Sequence, residues 1–254
     1  MEQTDKKRLF GLIGYPLEHS FSYRWFADTF SREGIADSEY RNFPLPAIDM
    51  LPELMRTPEL AGFNVTAPYK KEVIRYIDTL DETAATIGAV NCVTRNNGKW
   101  TGHNVDCIGF AASLREFIGK TIPQGALILG SGGASQAAAY ALHRMDIRHI
   151  VVSRSLRGDG YASYTDIDDS MLAEYPLLIN ATPLGTWPNT ESAPPIPYER
   201  LTKDNMLYDM VYNPPLTRFM TLGRQAGARV TNGRRMLELQ AEASWELFRE
   251  ADTE

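Results

Sequence analysis

Two hydrophobic rhythms alternate along the chain. Short apolar runs at 9–14, 62–66, 126–130, 149–153, 177–180 and 206–212 are bounded by glycine, proline or polar residues and read as strands. Residues 39–43 alternate between apolar and polar and predict a further strand. Stretches 21–32, 108–118, 134–145, 217–226 and 236–249 carry apolar residues at helical spacing, as Phe21, Trp25, Phe26 and Phe30 show. A short helix is expected at 48–55, and Pro68 suits the first turn of another over 69–76. Runs 89–95 and 99–104 flank Asn96-Asn97-Gly98, a sequence that predicts a hairpin. Between 155 and 175 glycines and tyrosines break the helical pattern, leaving room for one short helix at 168–174.

Strands alternating with helices predict an α/β fold with a parallel sheet. The character of the chain changes near Asp106 and again near Gly233. The expected division is residues 1–106 with 234–254 as one domain and 107–233 as a second, the final helix returning to the first.

Composition narrows the function classes. The 254 residues are 43% hydrophobic and 23% charged, ordinary for a chain with a sizeable core. Acids exceed bases by 32 to 26, so a nucleic-acid partner, which needs a basic surface, is not expected. The two cysteines, Cys92 and Cys107, lack metal-ligand spacing, and no metal site is expected. No apolar run approaches the roughly 18 residues of a membrane span. A charged start without an apolar stretch points away from a signal peptide, making a cytoplasmic protein the expectation.

Gly130-Ser131-Gly132-Gly133-Ala134-Ser135 lies between a predicted strand and a predicted helix. Gly130 permits a tight turn, Gly132 lets the backbone approach a pyrophosphate, and Ser135 takes the small-residue place of a third glycine. The helix N-terminus adds unpaired amides and a positive dipole end. A nearby acid would bind the ribose 2′-hydroxyl of NAD. The next strand instead ends in Ser153-Arg154-Ser155. An arginine fork suits a 2′-phosphate, so the expected cofactor is NADP.

Three further segments carry candidate chemistry: Gly14-Tyr15-Pro16-Leu17-Glu18-His19-Ser20-Phe21-Ser22; Asn64-Val65-Thr66-Ala67-Pro68-Tyr69-Lys70; and Gly88-Ala89-Val90-Asn91 with Gly102-His103-Asn104-Val105-Asp106. Together with the glycine loop, Asn180-Ala181-Thr182, Asp209-Met210-Val211-Tyr212 and Gln240, they resemble the shikimate dehydrogenase family over nearly the whole chain. The resemblance implies an α/β substrate domain and a Rossmann-like NADP-binding domain. It also implies reversible NADPH-dependent reduction of 3-dehydroshikimate to shikimate in aromatic amino-acid (chorismate) biosynthesis.

By the same resemblance, Lys70 and Asp106 are the catalytic pair. Ser20, Ser22, Thr66, Asn91, Asp106, Tyr212 and Gln240 bind substrate. Gly130, Ser131, Gly132, Gly133, Ala134, Ser153, Arg154, Met210 and Gly233 contact the cofactor, with Glu82 near the nicotinamide. Substrate residues mostly precede Asp106 and cofactor residues mostly follow it, so the two ligands are expected to meet between the domains. Small-molecule partners and a monomer or homodimer are expected.

The residue chemistry agrees, since carbonyl reduction needs a proton at oxygen and a lysine oriented by an aspartate can supply it. His103, Arg234, Arg235 and Ser153 depart from the family pattern. The arginine pair could bind an anion or crowd the site. His19 and His103 are assigned no acid–base role. Two alternatives stand beside this reading: a quinate/shikimate dehydrogenase using NAD, and a catalytically silent NADP-binding regulator.

Overall fold

The computed structural model describes residues 7–17, 20–156 and 158–251. The chain divides into two compact units, Met1–Val105 with Gln240–Glu254 and Asp106–Leu239.

The first unit is built on β1 (Arg8–Gly14), β2 (Ser38–Pro44), β3 (Leu60–Val65), β4 (Thr79–Leu80), β5 (Cys92–Asn96) and β6 (Lys99–His103). Its sheet order is β2-β1-β3-β5-β6-β4. Helices α1 (Phe21–Glu33), α2 (Leu51–Leu54) and α3 (Glu82–Ile87) accompany it. β1 pairs in parallel with β2 and β3, but β5 runs antiparallel to both β3 and β6. The first sheet is therefore mixed, with the antiparallel β5–β6 pair where the sequence predicts a hairpin. The cause is the hairpin at Asn97-Gly98, where both residues take positive φ (51° and 72°).

Side-chain alternation divides the apolar residues of β1 between two cores. Ile13 joins Phe63, Val65, Val93 and Trp100 on one face. Phe10 joins Phe26, Tyr40, Trp245 and Phe248 on the other. Phe10 stacks on Phe248 with centroids 4.7 Å apart, and Phe26 on Tyr40 at 4.1 Å. Such pairs add about 0.5–1.5 kcal/mol beyond burial. Trp245 and Phe248 belong to the final helix, whose C-terminal half is thereby part of the first unit.

The second unit contains β7 (Gly125–Leu129), β8 (Arg148–Val152), β9 (Tyr161–Ala162), β10 (Leu177–Asn180), β11 (Met206–Asp209) and β12 (Arg229–Thr231), ordered β12-β11-β10-β7-β8-β9. Every pairing is parallel. The helices are α4 (Asp106–Ile118), α5 (Gly133–Arg144), α6 (Asp169–Glu174), α7 (Arg218–Gln225) and α8 (Arg234–Arg249). From β7 the chain steps outward through β8 and β9, then returns beside β7 and steps the other way. This is the doubly wound order, with its reversal at β7 and β10.

Strands β7, β10 and β11 are buried throughout, as a sheet covered on both faces requires. β11 stops at Asp209 rather than continuing to 212, because the Asp209 side chain accepts the Val211 amide at 3.0 Å and turns the backbone. Between 155 and 175, α6 is the one α-helix among the described residues, and the two-residue β9 was not foreseen. The helix expected over 69–76 is a shorter 3₁₀ turn, Glu72–Tyr76. No described helix is long and apolar enough to cross a membrane.

Candidate active site

In the first unit the expected substrate residues sit on a hydrogen-bonded frame. Ser20 and Ser22 open α1. Ser22 bonds the Tyr40 hydroxyl, whose pKa burial raises well above its ordinary value. Tyr40 donates to Asn64 Oδ1 at 2.9 Å. Asn64 Nδ2 reaches both the Asn91 carbonyl (3.2 Å) and Ser244 Oγ (2.7 Å), and Ser244 donates to the Gln240 carbonyl at 3.0 Å. This chain joins Ser22, Asn91 and the Gln240 backbone. Ser20 Oγ is buried with no hydrogen-bond partner among the described residues, suiting a polar ligand atom.

The second part of the frame holds the backbone at Lys70 and the backbone that leads up to Asp106. Lys70 lies half-buried beyond β3, and its carbonyl accepts the Val90 amide at 2.7 Å. Asn91, one residue on, accepts the Val105 amide on its side chain at 2.7 Å and gives its own amide to the His103 carbonyl at 3.0 Å. Asn104 Nδ2 donates to the Ala89 carbonyl at 2.9 Å. The backbone leading into half-buried Asp106 is thus fixed beside Asn91. Thr66 closes the end of β3, its amide on the Ile13 carbonyl at 2.9 Å.

His103 is held at both ring nitrogens. Nδ1 pairs with Asp81 Oδ2 at 2.9 Å and Nε2 with Thr94 Oγ1 at 3.0 Å. The same Asp81 caps α3 through the Ala84 amide at 2.6 Å, and exposed Glu82 starts that helix. Burial pushes the Asp81 pKa up, but His103 and the cap amides outweigh it and hold the carboxyl below its ordinary value. His19 lies outside the described residues.

In the second unit, Gly130 turns with φ 110° at the end of β7, and a Cβ there would meet Thr182 Cγ2 at 2.8 Å. Open space surrounds the Cβ positions of Gly132 and Gly133. The α5 N-terminus, between Ser131 and Ala134, carries no side-chain cap. At the tip of β8, Arg154 is exposed while Ser153 is only 3% exposed. The Ser153 hydroxyl receives the Ser155 and Leu156 amides at 3.3 and 3.2 Å, so it shapes the turn that presents Arg154.

Met210 and Tyr212 follow β11, and burial raises the Tyr212 phenol above its ordinary value. Gly233 donates its amide to the Val211 carbonyl at 3.1 Å. Arg235 grips Glu116 (Nε to Oε2 3.0 Å, Nη2 to Oε1 3.1 Å) and Arg234 pairs with Glu238 at 2.8 Å. Both arginines are held in ion pairs at the surface.

A doubly wound sheet with a glycine loop at its reversal point, joined to a second α/β unit with a polar frame, defines a dinucleotide-dependent enzyme class. The family model of the shikimate dehydrogenase substrate binding domain matches residues 12–93. A shikimate dehydrogenase (NADP(+)) of Methanococcus maripaludis is 33% identical, across 96% of this chain and 93% of its own. A crystal structure of a shikimate dehydrogenase in complex with NADP+ superposes with a TM-score of 0.88 at 30% identity, covering 98% of this chain and 92% of its own. A quinate dehydrogenase from Corynebacterium glutamicum in complex with NAD gives 0.86 at 26% identity, covering 97% and 96%. The chain belongs to the shikimate dehydrogenase family.

Proposed function

We propose that the protein catalyses the reversible NADPH-dependent reduction of 3-dehydroshikimate to shikimate. The observation that carries this reading is the frame that fixes Lys70, Asn91 and the approach to Asp106, in a chain whose other unit has dinucleotide-fold order.

The second unit fits the cofactor. The uncapped α5 amides and the open space over Gly132 and Gly133 suit a pyrophosphate, and Arg154 suits a 2′-phosphate. Gly130, Ser131, Gly133, Ala134, Ser153, Met210 and Gly233 complete the proposed cofactor contacts, with Glu82 from the first unit. Bound NADPH supplies a hydride to the substrate carbon. Lys70 gives the proton to the carbonyl oxygen, and Asp106 orients the ammonium group. Ser20, Ser22, Thr66, Asn91, Tyr212 and Gln240 offer neutral partners to a polyhydroxylated ring and disfavour analogues lacking those hydroxyls. Buried thiols at Cys92 and Cys107 suit a reducing compartment, and the cytoplasm is the proposed location. Small molecules are the proposed partners, with no nucleic acid or membrane, and the chain acts as a monomer or homodimer.

The test is NADP absorbance with purified protein, running shikimate against quinate and NADP against NAD. Shikimate with NADP should turn over fastest, and quinate with NAD as the best pair would replace this reading. Arg154→Ala should weaken NADP about ten- to a hundredfold while barely changing NAD, the loss of one charge-assisted phosphate contact. Equal loss for both cofactors would remove Arg154 from selectivity.

A further inference from the structure

At the carboxyl ends of β10 and β11, one buried carboxylate ties together segments that the proposed chemistry leaves unexplained. Asp209 is fully buried. Its Oδ1 accepts from Asn180 Nδ2 at 2.9 Å and from the Val211 amide at 3.0 Å, and its Oδ2 accepts the Thr217 hydroxyl at 2.5 Å. Thr217 is the N-cap of α7. Asn180 extends the web: Nδ2 also donates to the Leu184 carbonyl at 3.2 Å. Its Oδ1 receives the Thr182 amide and hydroxyl at 3.0 and 2.6 Å. The Thr182 methyl leans on Gly130 of the glycine loop. Between Asp209 and Val211, the Met210 amide is held by the Asn180 carbonyl at 3.0 Å.

The strand order says which part of a dinucleotide this web serves. Arg154 ends β8 on one side of β7, whereas Asp209 and Asn180 end strands on the other side. With the pyrophosphate at the β7–α5 turn and the adenosine half toward Arg154, the nicotinamide half falls toward β10 and β11.

We propose that Asp209 is a positioning residue for the nicotinamide half of the cofactor. It fixes Met210 and the loop after Asn180 in their binding shape without touching the ligand. This rests on the reading of the second unit as an NADP site. What the site requires of residue 209 is acceptance of hydrogen bonds. An asparagine can keep Oδ1 as the acceptor for Asn180 and Val211 and gives up only the bond from Thr217, whereas alanine abandons all three donors.

The experiment measures binding of NADPH and of adenosine 2′,5′-bisphosphate, which carries only the half expected at Arg154, to full-length wild type, Asp209→Asn and Asp209→Ala. Wild type should bind both ligands. Asp209→Ala should lose about tenfold or more for NADPH, the cost of unmade buried hydrogen bonds, yet hold the bisphosphate nearly as wild type. Asp209→Asn should stay within about threefold of wild type for both. Equal loss of both ligands in Asp209→Ala means general loosening and overturns the inference. So does unchanged NADPH affinity, or an asparagine variant as weak as alanine. A wild type that does not bind NADPH overturns the cofactor reading itself. Should Asp209→Ala fail to fold, Thr182→Val cuts the same web at its rim. It should weaken NADPH a few-fold and spare the bisphosphate, and unchanged NADPH affinity there is equally fatal.

Discussion

Lys70 and Asp106 leave the sheet of the first unit from separate strands, yet Asn91 stands next to the partners of both. The Lys70 carbonyl holds Val90, and the Asn91 side chain holds Val105. Lys70→Ala should therefore lower kcat by roughly 10²–10⁴, the usual contribution of a placed acid–base group, with KM for shikimate changing much less. Asp106→Asn should lower kcat too, because an amide cannot stabilise an ammonium charge. The double variant should lose much less than the product of the single losses, and full multiplicativity would show two independent groups. These residue types were readable from local motifs. The frame beneath them was not: Tyr40, Asn64 and Ser244 meet across up to 180 positions of sequence, and each alone is an ordinary polar residue. Asp209 and Asn180 were visible as motif members, but their joint web exists only once β10 and β11 lie side by side.

At the scale of elements, legibility followed length. Helices α1, α4, α5 and α8 run 12 residues or more and carry enough apolar repeats to announce themselves. β4 and β9 are two-residue strands and β12 has three, so no period can form in them. α3 was missed for a related reason. Its six residues hold two threonines, weak helix formers, and its definition comes from Asp81 at one end and a left-handed Gly88 at the other. Asp81 also holds His103 at the end of β6, so one carboxylate pins a helix start to a strand end. Asp81→Ala should destabilise the first unit by about 1–2 kcal/mol, the cost of a lost N-cap, and Asp81→Asn by less because asparagine caps well. Urea unfolding of the three proteins checks the order, and an alanine variant as stable as wild type would show that α3 does not depend on its cap.

Across the whole molecule, the two compact units divide at Val105 and Asp106 and again within α8, at Leu239 and Gln240. Proton balance was not readable, since it depends on which carboxylates fold into apolar surroundings. Glu39 is held down to about 2 by Arg41 and then Lys7, so its contribution is present above its unfolded pKa of 4.5 and fades only in strong acid. It sits at the surface, where salt screens it. Asp209 behaves oppositely: burial raises it to about 6, outweighing its three donors. The folded state then binds that proton more tightly than the unfolded chain. Stability from this group is complete below 3.8 and is lost as pH climbs through about 6. Burial depresses His149, which loses stability as pH falls, so a wild-type profile mixes opposing effects. Asp209→Asn isolates one of them by removing the buried charge while keeping an acceptor for Asn180 and Val211. Relative to wild type, this variant should gain up to about 3 kcal/mol between pH 4 and pH 8, seen as a melting-temperature difference that widens with pH. The measurement is thermal unfolding by circular dichroism across that range, reading the transition of the second unit. A difference that stays flat with pH would mean that Asp209 keeps its proton affinity unchanged on folding.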